Sequence, residues 1–151
     1  MSALYPSAKE MFFGLGGTGS ASTAATASLT LDLVDDTIKV ALLNVTTDNS
    51  GGFNSAHNYL DDVVRYSGTT DQTLASKTIT SGSFNAAAAS FTSVAVDGSK
   101  QVQALVLYKD VLGQTANSPL IAYIDGFTSV LPNGGNITVT WDSGANKIFR
   151  I

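Results

Sequence analysis

The chain has no cysteine. That excludes a disulfide framework, a thiolate nucleophile and any cysteine-ligated metal. It has one histidine, His57, so there is no histidine pair to hold zinc. Charge is scarce too. Charged residues make up 13% of the 151 positions, roughly half the usual share. The eight Lys and Arg are scattered from Lys9 to Arg150, and only Lys147 and Arg150 lie close together. Nucleic-acid binding needs several phosphates neutralised at once, which this distribution disfavours. No run reaches the roughly 18 apolar residues of a membrane span. The opening MSALYPSAKEMFFGLGG has neither the basic n-region nor the apolar core of a signal peptide. The expectation is synthesis in a cytoplasm, with no membrane and no nucleic acid as partner.

Small neutral residues take the place of charge. Ser, Thr, Ala, Asn and Gly dominate, and hydrophobic residues still reach 44% at a net charge of −4. The chain is long enough for one domain with a buried core. A weakly charged surface suits close packing against other subunits, because few ions need desolvating there.

The clearest patterning lies in the last twenty residues. In Asn136–Trp141, Ile137, Val139 and Trp141 point one way and Asn136, Thr138 and Thr140 the other, the period of a half-buried strand. Asp142–Asn146 (DSGAN) supplies turn chemistry, and Lys147–Ile151 reads as a return strand, together a closing hairpin. Thr37–Leu43 alternates Ile38, Val40 and Leu42 with a second face that is also mostly apolar, so it reads as a central strand. Gln101–Lys109, with Val102, Ala104, Val106 and Tyr108 on one face, is a strand expected to pair antiparallel with Pro119–Asp125. Asp71–Thr80 and Phe91–Val96 read as further strands, with turns at Ser81–Ser83 and Asp97–Ser99.

Helix is sparse. Pro6 suits a first helical turn, and Ser7 with Glu10 has capping-box spacing, so residues 1–13 form a short helix or an arm laid on a neighbour. Ser55–Val64 is a second helix candidate, capped by Ser55. The alanine run in Phe84–Ser90 is marginal as a helix. Gly14–Ala27 (GLGGTGSASTAATA) reads as a flexible loop. The fold class is therefore mainly β: an antiparallel β-sandwich, a jelly-roll-like domain or a small open barrel with one or two short helices, spanning 1–151 as a single domain.

Candidate chemistry is thin. Gly14-Leu15-Gly16-Gly17-Thr18-Gly19 matches the dinucleotide fingerprint, with Asp36 about twenty residues on, but the fingerprint needs a strand before it and a helix after it. Ser55, His57, Asp61 and Asp62 crowd one segment, whereas triads converge from separate elements. Asp35-Asp36, Asp61-Asp62, Asp48, Asp125 and Asp142 offer oxygens for calcium, yet no D-x-D-x-D-G loop is present. Asn44-Val45-Thr46 and Asn136-Ile137-Thr138 match the glycosylation sequon but read as ordinary strand residues. Tyr108, Tyr123 and Trp141 lie on strands expected to be neighbours, in phase with apolar residues, so they read as packing groups and not as a sugar platform. No catalytic, cofactor-binding or metal-ligating residue is assigned, and no enzyme activity is expected.

Five blocks resemble, in this order, segments of small tailed-bacteriophage proteins encoded among virion structural genes: Leu4–Glu10, Asp36–Leu42, Ala104–Asp110, Leu120–Asp125 and Asn133–Trp141. Gly14–Ala27 departs from that pattern, since relatives pass more directly from helix to strand. The resemblance implies a virion structural protein, and above all a capsid decoration (cement) protein. Its partners would be the major capsid protein and copies of itself, often as a trimer, and its place the virion after synthesis in the host bacterial cytoplasm. The alternatives are a tail, baseplate or fibre-associated component, or a host-glycan-binding module. For a cement protein, the N-terminal arm and Gly14–Ala27 are the expected contact elements.

Overall fold

The computed structural model describes residues 2–13, 30–49 and 51–151. Gly14–Ala27, and with it the dinucleotide-like glycine pattern, lies outside the described residues. Among the described residues the chain is mainly β, with antiparallel sheets and one short α-helix, a sandwich-like arrangement.

Five strands build the main sheet: β1 (Ser2–Leu4), β2 (Ile38–Leu43), β3 (Gln72–Thr73), β7 (Ala104–Lys109) and β8 (Leu120–Ile124). Their order is β1-β8-β7-β2-β3, every neighbour antiparallel. The pairing of β7 with β8 and the inner position of β2 are as expected. Nearly every residue of β2, β7 and β8 is buried, so both faces of this sheet are covered. Apolar residues at consecutive positions make that possible, because a strand buried on both faces has no need of polar alternation.

Two smaller sheets cover the main one. The first is three-stranded, with order β10-β5-β4: β4 (Thr78–Thr80), β5 (Ser83–Asn85) and β10 (Phe149–Arg150). The second pairs β6 (Ala89–Phe91) with β9 (Ile137–Val139). Phe84, Phe91, Ile148 and Phe149 from this layer join Val40, Leu42, Leu107 and Ile121 of the main sheet in one buried cluster.

Several expectations need correction. The helix α1 (Pro6–Phe12) starts at Pro6, with Tyr5 at the N-cap in extended conformation. Proline forces its predecessor out of the helical region, so Tyr5 and not Ser7 marks the boundary. Ser7 is buried inside the helix, and its hydroxyl has no partner. The residues before α1 form a strand, β1, that pairs with β8 of its own chain.

The helix expected over 55–64 is absent except for a single 3-10 turn at Leu60–Asp62. Local side-chain bonds compete with it. The Ala56 N–H donates to Asn54 Oδ1 (2.9 Å), and the Asn58 and Tyr59 N–H groups donate to Asp62 Oδ2 (2.7 and 2.9 Å).

The strand expected over 71–80 is split between β3 and β4, which lie in different sheets. Ser76, at φ +50°, is where the chain turns between them. The strand expected over 91–96 stops at Phe91, and Ser93 at φ +51° carries its N–H to Asn136 Oδ1. The alanine run holds no helix: its ends are β5 and β6.

The closing hairpin is also overturned. β9 pairs with β6 and β10 pairs with β5, so the turn at 142–146 carries the chain from one small sheet to the other. Apolar demand explains this. Phe149 packs its ring 5.3 Å from Phe84 and 6.3 Å from Phe12, contacts that pairing with β9 would forfeit.

Candidate functional site

The single histidine sits in the loop before the 3-10 turn. Its Nε2 lies 3.2 Å from Asn54 Nδ2, while its Nδ1 is buried without a partner. Ser55 and Asp61 are exposed, and neither hydrogen-bonds His57. Asp62 is occupied by two backbone donors. These groups therefore share a segment but do not assemble a nucleophile, base and orienting acid.

Most of the acidic residues are engaged separately, each with its own partners. Asp32 Oδ1 accepts the N–H groups of Val34 and Asp35, and those bonds hold its carboxyl below the usual range. Asp36 Oδ2 accepts the Asp32 N–H and pairs with Lys109 at 2.8 Å, while the Asp36 carbonyl accepts Lys77. A ribose contact for Asp36 is thus replaced by a turn and an ion pair. Lys100 bridges Asp97 (3.1 Å) and Asp48 (3.3 Å), which raises its pKa. Among the described residues, no group of three His, Cys, Asp or Glu is placed to hold a metal ion.

One polar constellation lies inside the fold, and sequence reasoning did not find it. The Tyr108 hydroxyl donates to Asp71 Oδ2 at 2.7 Å, and Arg65 Nη1 donates to the same oxygen at 2.9 Å. Asp71 is nearly buried, its side chain 5% exposed, and its Oδ1 has no partner. Burial first, then the bond to Asp71, raises the Tyr108 pKa well above its ordinary value. Burial raises Tyr5 likewise and pushes Tyr123 up to about 12. Tyrosines held protonated this firmly serve as neutral hydrogen-bonding and packing groups at pH 7, not as bases.

The three aromatics singled out do not form an exposed row. Tyr108 and Tyr123 are buried. Trp141 is half-buried beyond the end of β9, and its Nε1–H donates to Ala87 O at 2.9 Å. Phe53 stacks between Tyr5 and Tyr123, with ring centroids 5.1 and 5.9 Å apart.

Two grooves remain. The first, of about 570 Å³, runs between the main sheet and β9. Leu42, Leu105 and Ile124, aligned in register across β2, β7 and β8, form its floor. Ile137, Val139 and Trp141 form the opposite wall, with Asp125, Asp142 and Lys147 at the rim. The second, of about 670 Å³, lies over the outer edge of β1. Residues of β1, α1 and the last strand line it together with Phe53. Phe13 is 78% exposed there. Phe13 follows α1 as its C-cap, while Met11 and Phe12 take the positions against the core, so the last residue of the apolar run Met11–Phe13 is the one left exposed.

No helix among the described residues is long and apolar enough to cross a membrane. Comparison with family models, with curated proteins and with solved structures gave no match.

Proposed function

We propose that the chain is a structural protein of a tailed-bacteriophage particle: a capsid decoration protein that binds and stabilises the assembled shell. Its partners are the major capsid protein and further copies of itself, and its role is mechanical, not enzymatic. One observation carries the reading. Three of the five blocks that resemble phage virion proteins coincide with the inner strands β2, β7 and β8, and the other two cover the start of α1 and β9. The resemblance thus falls on the framework of the fold and not on loops that tolerate any sequence. The scattered carboxylates, most of them held by separate partners, and the low charge content fit a protein whose work is packing.

The mechanism is linkage. A protein that binds the assembled shell and not its free subunits shifts the equilibrium toward the shell. At a free concentration one hundred times Kd, each bound copy contributes about 2.7 kcal/mol. The test is to add purified protein to shells assembled without it and to follow their thermal disruption. A rise in disruption temperature that saturates with added protein is expected, and unchanged shells would sink the proposal. Immunogold label confined to the tail of intact particles would replace it with the tail or baseplate reading. Specific hits on a glycan array without shell binding would favour the host-glycan reading.

A further inference from the structure

The outer edge of β1 is an open template. Among the described residues, β1 is the terminal strand of the main sheet and pairs only with β8. The Tyr5 N–H bonds Ile121 O, so in an antiparallel ladder Ala3 and Tyr5 face β8 while Leu4 turns its N–H and C=O outward. Edges are ordinarily blunted by charge, proline or a bulge. Ser2, Ala3 and Leu4 carry none of these. The opposite edge, β3, is only two residues long.

The groove over this edge is apolar and locally cationic. Phe12, Phe13, Phe53 and Ile151 line it, and Phe13 and Ile151 are 78% and 62% exposed. Lys9 and Arg150 line it as well, and no Asp or Glu does among the described residues. That composition inverts the chain as a whole, in which twelve carboxylates outnumber eight cations. We propose that this edge and its groove are a docking site for an extended segment of a partner protein whose apolar side chains are interspersed with carboxylates. The segment adds a strand beside β1, so its backbone bonds Leu4. Its apolar side chains enter the groove and its carboxylates meet Lys9 and Arg150. The inference is independent of whether the chain decorates a capsid.

The test uses the full chain and a fluorescein-labelled peptide of alternating Val and Glu, followed by anisotropy, with a Val and Lys peptide as control. The Glu peptide is expected to bind and the Lys peptide to bind at least about tenfold more weakly. Hydrogen exchange at Leu4 should slow on binding. Two variants alter exposed side chains and leave the core intact. Lys9→Glu with Arg150→Glu should weaken the Glu peptide about tenfold, as loss of two rim charge pairs predicts. Phe13→Ser should weaken both peptides. An unchanged circular dichroism melt shows that each variant is folded. No binding of the Glu peptide, equal binding of the two peptides, or protection elsewhere than β1 overturns the proposal. So does concentration-dependent self-association abolished by the same variants, which would make a second copy the occupant.

Discussion

Replacing Tyr108 with Phe keeps the ring in the core and deletes one hydroxyl. Tyr108 is 2% exposed, and that hydroxyl donates to Asp71 Oδ2 at 2.7 Å. The carboxylate it serves has few alternatives. Arg65 reaches the same oxygen, but its side chain is 43% exposed, and Asp71 Oδ1 is already without a partner. A hydrogen bond to a charged acceptor contributes about 1.5–3 kcal/mol, and leaving the acceptor buried places the loss in the upper part of that range. In a chain of this length each kcal/mol moves Tm by about 2–4 °C, so Tyr108→Phe should melt about 4–12 °C lower. Arg65→Met leaves the buried carboxylate without its cation, a loss moderated by the guanidinium's 43% exposure, and should cost about 1–3 kcal/mol. The assay is urea unfolding of both single variants and of Tyr108→Phe in an Asp71→Asn background. The hydroxyl should matter less there, since its acceptor is no longer ionised. A Tyr108→Phe variant within about 0.5 kcal/mol of the parent would refute the reasoning, because ordinary surface changes fall in that range.

Tyr5, Tyr108 and Tyr123 all have pKa values raised by burial, Tyr123 to about 12, from an ordinary 10.0. The unfolded chain therefore loses these protons first, so stability is full below pH 10 and falls as pH rises toward 12. Absorbance at 295 nm should show their phenolates appearing together with unfolding, and a smooth titration of all five tyrosines near pH 10 would contradict it. Gly82 sits at φ +78° in the two-residue turn between β4 and β5, and a Cβ there would lie 2.8 Å from Ile151 O. Gly82→Ala should cost about 1–2 kcal/mol from backbone conformation alone, read by chemical denaturation. Phe84 is 1% exposed and stacks on Phe149, so Phe84→Ala should cost about 3–5 kcal/mol, and a melt unchanged within 2 °C would place that ring outside the core. Trp141→Phe loses the bond to Ala87 but keeps a half-buried ring, and should cost about 1 kcal/mol by the same measurement.

The inner strands were legible because their evidence is local. β2, β7 and β8 are five or six residues long and largely apolar on both faces, and β7 and β8 follow one another directly in the order of strands. The small sheets were not legible, because their strands are two or three residues long and, apart from the β4–β5 hairpin, their partners are distant. The Ser83 hydroxyl bonds Ala145 O and Trp141 bonds Ala87 O, contacts 62 and 54 positions apart. Serine at positive φ, as at Ser76, Ser81 and Ser93, also carries no signal comparable to glycine. The Asp71–Tyr108–Arg65 constellation escaped for a similar reason. Asp71 stood inside an expected strand, and nothing local marks which of twelve carboxylates will be buried beside a tyrosine from β7.

Period-2 alternation at 136–141 identified which side chains face inward but was silent on which strand would lie alongside. A strand chooses its partner by what its inward residues cover. Ile137 lies opposite Phe91 and Val139 opposite Ala89, so β9 spends its apolar face closing the groove wall over Leu105 and Ile124. Phe149 instead reaches Phe84 and Phe12, which draws β10 to the other small sheet and against α1. The last strand is thereby brought beside β1, and Arg150 and Ile151 come to line the groove over its open edge. Pairing of β9 with β10, as a hairpin, would have removed both from that groove. The same two aromatic contacts that overturn the expected hairpin thus place a cation and an exposed aliphatic side chain where an added strand would meet them.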